Sequence, residues 1–248
     1  MTTTRFAVLG VGEAGFALAN DLLLLGHEVT AFDPNPRRTP SGVELTTSAA
    51  EAVARADVVL SVNTAAVSES VASSVLPSLV ADQIYADLNT SEPSRKRRIA
   101  EIIGPTGALF VDVALVAPVP NLGIRTPSLA SGVGASRFQD LLTPLGMPVE
   151  VVEGGAGVAA THKLLRSVLM KGVAATVLES LEAATKAGLR PWLEPQVRNL
   201  FANPALLDRL EEGTRKHAAR RVHEMEAAAD LLRELNATHY TTEATLAL

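Results

Sequence analysis

Two groups of residues in this sequence have types and spacings that can do chemistry. The first is Gly10-Val11-Gly12-Glu13-Ala14-Gly15, a G-x-G-x-x-G run directly after the apolar stretch "RFAVL". Alone, such a run is also what a plain strand-to-helix turn uses. Placed between a strand and a helix it fits a phosphate cradle. Gly10 would make the tight turn, and Gly12 would admit a pyrophosphate where any Cβ would collide with it. Gly15 would let the helix pack closely on the strand. The amides of Glu13 and Ala14, aided by the helix dipole, would hold the negative charge. Asp33 ends the next β-rich run, eighteen residues past Gly15, where dinucleotide sites place the acid that binds ribose hydroxyls. Its carboxylate would repel a 2′-phosphate, which favours NAD. Arg37 and Arg38 leave NADP open, either by gripping that phosphate or by being ordinary loop charges. Asn63 and Thr64, after "DVVLSV", are expected cofactor contacts.

The second group is Lys163, Arg166 and Ser167. Hydride transfer to or from a carbinol carbon needs a proton carrier beside the oxygen. No Ser-Tyr-Lys arrangement is visible, and the chain has two tyrosines. Lys163 lies one to two turns into a helical stretch, just past the glycine-rich "EGGAG", where two domains would form a cleft. A water-poor cleft would make an ammonium there give up its proton more readily. Arg166 and Ser167, three and four residues on, share that helix face. Arg166 would either ease that proton loss further or grip a carboxylate, and Ser167 would orient a hydroxyl. On residue types alone, Lys163 also fits a solvent-facing lysine. Lys171, rotated by about 80° from it, reads as a surface or dimer-facing residue.

The elements that must position these groups alternate in the first half. "RFAVLG", "EVTAFD", "DVVLSV", "QIYADLN", "ALFVDVALV", "PSLASG" and "VEVVE" read as strands. Helical stretches such as "AGFALANDLLLLG", "SAAEAVARA" and "ASRFQDLLTPLG" lie between most of them. That order predicts a mainly parallel sheet covered on both faces. Ser48 and Glu51 have capping-box spacing, and Pro93 suits the first turn of a helix. From Gly154 onward no convincing strand occurs. "VAATHKLLRSVLMKGVAATVLESLEAATKAG" predicts one long helix ending near Gly188, with Pro191 beyond it. "EPQVRNLF", "PALLDRLEEG" and "TRKHAARRVHEMEAAADLLRELN" follow as further helices. The reading is an α/β domain over 1–153 and an all-helical domain over 154–248. Gly172, Ala174 and Ala175 would let another helix approach the long one, and a homodimer burying this half is expected.

Composition bounds the function. The net charge is -5 at pH 7, which speaks against nucleic acid as a partner. The dense basic block Arg95-Lys96-Arg97-Arg98 reads as the solvated face of a short helix rather than a binding patch. There are no cysteines, so disulfides and thiolate chemistry are excluded. The five histidines lack metal-ligand spacing, and no metal is expected. No signal-peptide pattern or membrane-length apolar run is visible, so the chain is read as cytoplasmic, with no membrane partner.

Four stretches together resemble one family. They are the glycine loop with Asp33; "DLNTSEP", similar to D-x-S-T-x-x-P; "FVDVALVAPVPNLG", in the place of D-A-P-V-S-G-G; and "GVAATHKLLRS", similar to G-x-G-x-x-x-K-x-x-N-N. The chain thus resembles the β-hydroxyacid dehydrogenases, the group of 3-hydroxyisobutyrate and 6-phosphogluconate dehydrogenases, over essentially its whole length. It is closest to a bacterial subgroup of NAD(P)-dependent oxidoreductases with a distinctive helical C-terminal domain. The resemblance implies a Rossmann domain, a long interdomain helix and an all-α domain that dimerises. It puts Thr90 near the nicotinamide and substrate, Lys163 at the catalytic lysine and Gly157 at the first motif glycine. At 248 residues the chain is short for the family, so a trimmed helical domain is expected. Departures bear on the substrate. The S-G-G anchor reads Val116-Ala117-Pro118, the second glycine is Ala159, and the paired asparagines are Arg166 and Ser167. The implied activity is hydride transfer between NAD(P) and a hydroxyl or carbonyl carbon of a small, acidic substrate. An imine reductase of the same architecture and a dinucleotide-binding sensor without turnover are the alternatives. In the last long helix Ala218, Val222, Met225, Ala229 and Leu232 form an apolar stripe. His217, Arg221 and Glu224 line another face, either solvated or facing a pocket.

Overall fold

A computed structural model describes residues 3–200, 205–237 and 239–247, with the backbone alone for Leu206 and Leu207. The chain divides into two compact units, Met1–Lys163 and Leu164–Leu248.

The first unit is built on eight strands: β1 (Arg5–Leu9), β2 (Glu28–Phe32), β3 (Glu44–Leu45), β4 (Val58–Ser61), β5 (Ile84–Asp87), β6 (Leu109–Leu115), β7 (Ser128–Ser131) and β8 (Val149–Val151). They form one sheet in the order β3-β2-β1-β4-β5-β6-β7-β8. Helices α1 (Glu13–Leu24), α2 (Ala49–Val53), α3 (Ser68–Val75), α4 (Pro93–Ile103), α5 (Val119–Leu122) and α6 (Ala135–Leu142) connect them. Strand residues alternate between two cores. Phe6 and Val8 pack with Leu18 and Leu22 of α1, whereas Ala7 and Leu9 pack with Val53 of α2 and Ile99 of α4. Because both faces are covered, these strands read as nearly continuous apolar runs.

Two features depart from the expected pattern. β3 is an exposed two-residue edge strand, too short to show a period. β7 runs antiparallel to β6, the exception in an otherwise parallel sheet. The link between them holds the four-residue α5, about 6 Å long, followed by a 3₁₀ turn over Gly123–Arg125, and no helix long enough to run back along a strand as a parallel crossover must. At α2, Ser48 accepts the Glu51 amide at 3.1 Å, while the Glu51 carboxylate turns to the amide of Thr47 rather than that of Ser48. The expected capping box is therefore half formed.

Helix α7 (Val158–Lys186) contains the division between the units. Gly188, with φ +71°, ends it in the left-handed conformation that favours glycine. The second unit continues with α8 (Arg190–Leu200), α9 (Ala205–Lys216), α10 (Ala218–Glu234) and α11 (Tyr240–Leu246). Pro191 occupies the first turn of α8, where its missing N–H costs nothing. The expected helix from Thr214 breaks at His217 into the end of α9 and α10. "EPQVRNLF" and "PALLDRLEEG" run into residues 201–204, outside the described residues. The unit's core is thin. Ala174, Val177 and Leu181 pack with Val197 and Leu210, and Leu164 packs with Ala227, Ala228 and Leu231. Gly172 meets Thr241 of α11 at 3.5 Å from its Cβ position, so this small residue admits a helix of its own unit. In the α10 stripe Met225, Ala229 and Leu232 are buried, but Ala218 and Val222 are exposed at its first turns. No described helix is long and apolar enough to cross a membrane.

Candidate active site

The glycine loop lies at the carboxyl ends of β1 and β4, where the strand order reverses direction. Ligands bind at such a switch point in open α/β sheets. Each glycine has a distinct reason. Gly10 has φ +106°, and a Cβ there would stand 2.5 Å from the Val62 carbonyl oxygen. A Cβ at Gly15 would stand 1.9 Å from the Gly10 oxygen. At Gly12 it would meet no protein atom within 4 Å. Nothing in the protein therefore requires glycine at 12, and the space beside it is what a close-lying phosphate needs. Gly12 also caps α1 without any side-chain hydrogen bond, which leaves the helix start to a ligand.

Asp33 ties this loop down. Its Oδ2 accepts the Val11 amide at 2.7 Å and its Oδ1 the Asn35 amide at 2.9 Å. Arg38 lies over the Phe16 ring, 4.0 Å from its centre, and Arg37 is exposed. Asn63 donates to Ser61 Oγ at 2.9 Å, and its buried Oδ1 has no partner among the described residues. That orphaned acceptor beside Gly10 again fits a polar ligand. Thr64 is exposed at the start of a 3₁₀ turn, Ala65–Val67. The residues present thus fit a dinucleotide.

Thr90 and Lys163, far apart in sequence, are brought together. The Lys163 Nζ donates to Thr90 Oγ1 at 2.6 Å, and both residues are partly buried. Thr90 sits in the loop between β5 and α4. Asp87 organises that loop by accepting the amide of Asn89 at 2.9 Å and its side-chain Nδ2 at 2.5 Å.

Beneath the pair lies a charge cluster that the sequence reading missed. Lys96 was expected on a solvated face, yet its side chain is 1% exposed. Its Nζ donates to the Asp87 carbonyl at 2.8 Å and lies 3.1 Å from Asp112 Oδ1 and 3.5 Å from Asp87 Oδ2. Arg97 and Arg98 keep the solvated role, while Arg95 is half-buried against Glu92 and the Ala65 carbonyl. Burial raises the Asp87 pKa against the opposing pull of Lys96. Burial alone would lower that of Lys96, but Asp87 and Asp112 outweigh it and the pKa is raised. The available signal was an aspartate among the apolar strand residues of "IYADL" and "ALFVDVALV".

Ser167 and Arg166 belong to the second unit. Ser167 is 4% exposed and its hydroxyl accepts from Lys171 Nζ at 3.2 Å. Lys171, expected at a surface or facing a dimer partner, pairs with the buried Glu224 of its own unit at 2.6 Å, so the ammonium and carboxylate neutralise each other. Arg166 is exposed. Arg221 donates to Thr214 at 2.5 Å, and burial lowers its pKa. His217 is half-buried. The face expected to hold His217, Arg221 and Glu224 thus includes a buried ion pair.

Comparison with known proteins agrees with this geometry. Residues 5–119 match the NAD binding domain of 6-phosphogluconate dehydrogenase, and residues 171–248 match a domain of unknown function (DUF1932). A conserved hypothetical protein from Sinorhizobium meliloti 1021 has a crystal structure similar to this one at TM-score 0.79. The two are 31% identical over 99% of this chain and 87% of that one. The 3-hydroxyisobutyrate dehydrogenase of Pseudomonas aeruginosa is 28% identical over 204 residues, 76% of this chain and 66% of that protein. The Mycobacterium tuberculosis 3-hydroxyisobutyrate dehydrogenase, solved with L-serine, shares the fold at TM-score 0.82 and 21% identity, over 99% and 92% of the chains. The chain spans between 40% and 66% of the length of the first curated relatives it matches. With its fold, its glycine loop and both matched segments in agreement, the chain belongs to the β-hydroxyacid dehydrogenase family.

Proposed function

We propose that the protein is an NAD(P)-dependent oxidoreductase that moves hydride between a nicotinamide and the hydroxyl or carbonyl carbon of a small, acidic substrate. The observation that carries this reading is the 2.6 Å contact of Lys163 with Thr90 in the unit that holds the glycine loop. Gly10, Gly12, Gly15 and the amides of Glu13 and Ala14 would hold the pyrophosphate. Asp33 would take the ribose hydroxyls, with NAD favoured, and Asn63 and Thr64 would line the same site. When bound, the nicotinamide accepts or donates a hydride. In oxidation the neutral Lys163 amine takes the hydroxyl proton as the carbon gives up hydride and its C–O bond becomes a carbonyl. In reduction the ammonium returns that proton to the oxygen. Thr90 holds the amine in place and orients the substrate oxygen. Ser167 and Arg166 complete the proposed set, as a hydroxyl donor and a carboxylate grip. Val116, Ala117 and Pro118 offer no hydroxyl, which favours a substrate other than the smallest hydroxyacids. We place the protein in the cytoplasm as a homodimer joined through its helical half. Exposed Leu165, Leu169, Leu189 and Trp192 in that half support the dimer.

The test is a panel of 3-hydroxyacids and cyclic imines with both cofactors, run on wild-type and Lys163→Ala protein. A hydroxyacid turned over by the wild type, with a loss of about 100-fold or more in the variant, is the expected result. Normal turnover by Lys163→Ala ends the lysine assignment. Turnover of imines alone makes the protein an imine reductase. NADH bound but never oxidised across broad carbonyl panels, with no turnover of hydroxyacids or imines, makes it a sensor.

A further inference from the structure

Helix α7 begins without a cap of its own. Its N-cap position is Gly157, which has no side chain. Its φ of +97° disfavours one, and a Cβ there would lie 2.8 Å from the Pro93 carbonyl oxygen. The cap comes from the sheet instead. Asp112 Oδ2 accepts the Gly157 amide at 3.1 Å and the Ala160 amide at 2.9 Å, and Ser131 Oγ accepts the Ala159 amide at 3.0 Å. Asp87, Asp112 and Ser131 are register partners on the neighbouring strands β5, β6 and β7, so they project to one face in a row. Two carboxylates side by side repel. Lys96 lies between them, and the positive end of α7 meets Asp112 from the far side.

The same cluster therefore braces both partners of the Lys163–Thr90 contact. Asp87 shapes the loop that carries Thr90, Asp112 fixes the first turn of the helix that carries Lys163, and Lys96 joins the two. We propose that Asp87, Lys96 and Asp112, with Ser131, form a positioning device that sets the approach of Lys163 to Thr90. For function it rests on the reading of Lys163 as the proton carrier. Asp112 is suited to it because both of its oxygens face donors: Oδ1 the ammonium, Oδ2 the helix amides. An asparagine satisfies one side and presents its own N–H groups to the other.

Amine labelling tests this without a substrate. Wild-type, Asp112→Asn, Ser131→Ala and Thr90→Val proteins are pulsed with N-hydroxysuccinimidyl acetate. Acetylation of Lys163 is read by peptide mass spectrometry against the exposed Lys186, and Lys171 serves as a control for general loosening. NADH binding is titrated by fluorescence in parallel. The Lys163-to-Lys186 ratio is expected to rise about tenfold in Asp112→Asn, which loses a charge-assisted hydrogen bond. In Ser131→Ala, which loses the neutral bond to the Ala159 amide and only a long 3.5 Å one to Asp112 Oδ2, it should rise about threefold. Thr90→Val marks the fully released level, and Lys171 labelling and NADH affinity stay unchanged in the cap variants. An unchanged ratio in both cap variants overturns the proposal. So does a rise shared equally by Lys171, because that is loss of global stability. If Asp112→Asn does not fold, Ser131→Ala decides, since it removes the acceptor of the Ala159 amide and a long 3.5 Å hydrogen bond donated to Asp112 Oδ2, and no charge. Failure of the enzymatic reading appears separately, as normal turnover by Lys163→Ala, and leaves the labelling result standing.

Discussion

Gly12 and Gly15 lie three residues apart in one loop, yet substitution at each should fail in a different way. In Gly15→Ala the new Cβ would stand 1.9 Å from the Gly10 carbonyl oxygen and 3.4 Å from Val8 Cγ1. An unstrained C···O contact is about 3.3 Å, so α1 and the loop must part by roughly 1.4 Å. Overpacking of this kind costs about 1–3 kcal/mol, and the contact here is with rigid backbone, which puts it at the upper end. For a chain of this size ~3 kcal/mol lowers Tm by roughly 6–12 °C. In Gly12→Ala the backbone already has φ −70°, and the Cβ meets no protein atom within 4 Å. Alanine is a poorer N-cap than glycine by about 1 kcal/mol, so Tm should move by no more than roughly 4 °C. The methyl group instead fills the space where the pyrophosphate would lie. NADH affinity should fall roughly 10- to 100-fold, the equivalent of overpacking a bound ligand. Circular dichroism melts and NADH fluorescence titrations on both variants separate the two effects. Wild-type NADH affinity in Gly12→Ala would refute the placing of phosphate at this loop. An unchanged Tm in Gly15→Ala would refute the contact between helix and loop.

Other substitutions probe separate parts of the molecule. Asp33→Asn keeps an acceptor for one of the two loop amides and loses the charge, so the ratio of NADPH to NADH affinity should rise about tenfold, read by competitive fluorescence titration. Lys171→Met leaves Glu224, whose side chain is 8% exposed, without its main counter-charge. That should cost about 3 kcal/mol in urea unfolding, with Lys171→Arg recovering most of it. The hydrogen bonds of Arg5 lower the Asp57 pKa below its ordinary value of 3.8. Stability from this pair is therefore present above that value and lost as pH falls through the depressed one. Asp57→Asn should weaken the acid dependence below about pH 4 by ~0.5 kcal/mol, since the pair is largely exposed, and added salt should erase the difference.

Much of the fold was legible because its signals are local. Strand runs such as "FAVL" and "VVL" are apolar throughout, since helices cover both faces of the sheet. The glycine loop announces itself by spacing between a strand and a helix. The long helix shows its end through Gly188. Thr90 and Lys163 were each named by motif, and folding puts them 2.6 Å apart. The short edge strand β3 and the reversed β7 lacked such signals, because two residues carry no period and strand direction depends on what the connection can span.

What sequence alone determined is thus most of the strands and helices, the glycine-rich turn between β1 and α1 and the family resemblance, all of which depend on residues near one another along the chain. Tertiary structure decided which charges are buried and what they hold. Lys96 looked like one of four surface cations, and Lys171 like another. Asp112 caps a helix forty-five residues away, and Glu224 neutralises a lysine on a different helix. A buried charge persists only if a partner reaches it, and that partner is chosen by strand register and helix packing, which no local pattern in the sequence records.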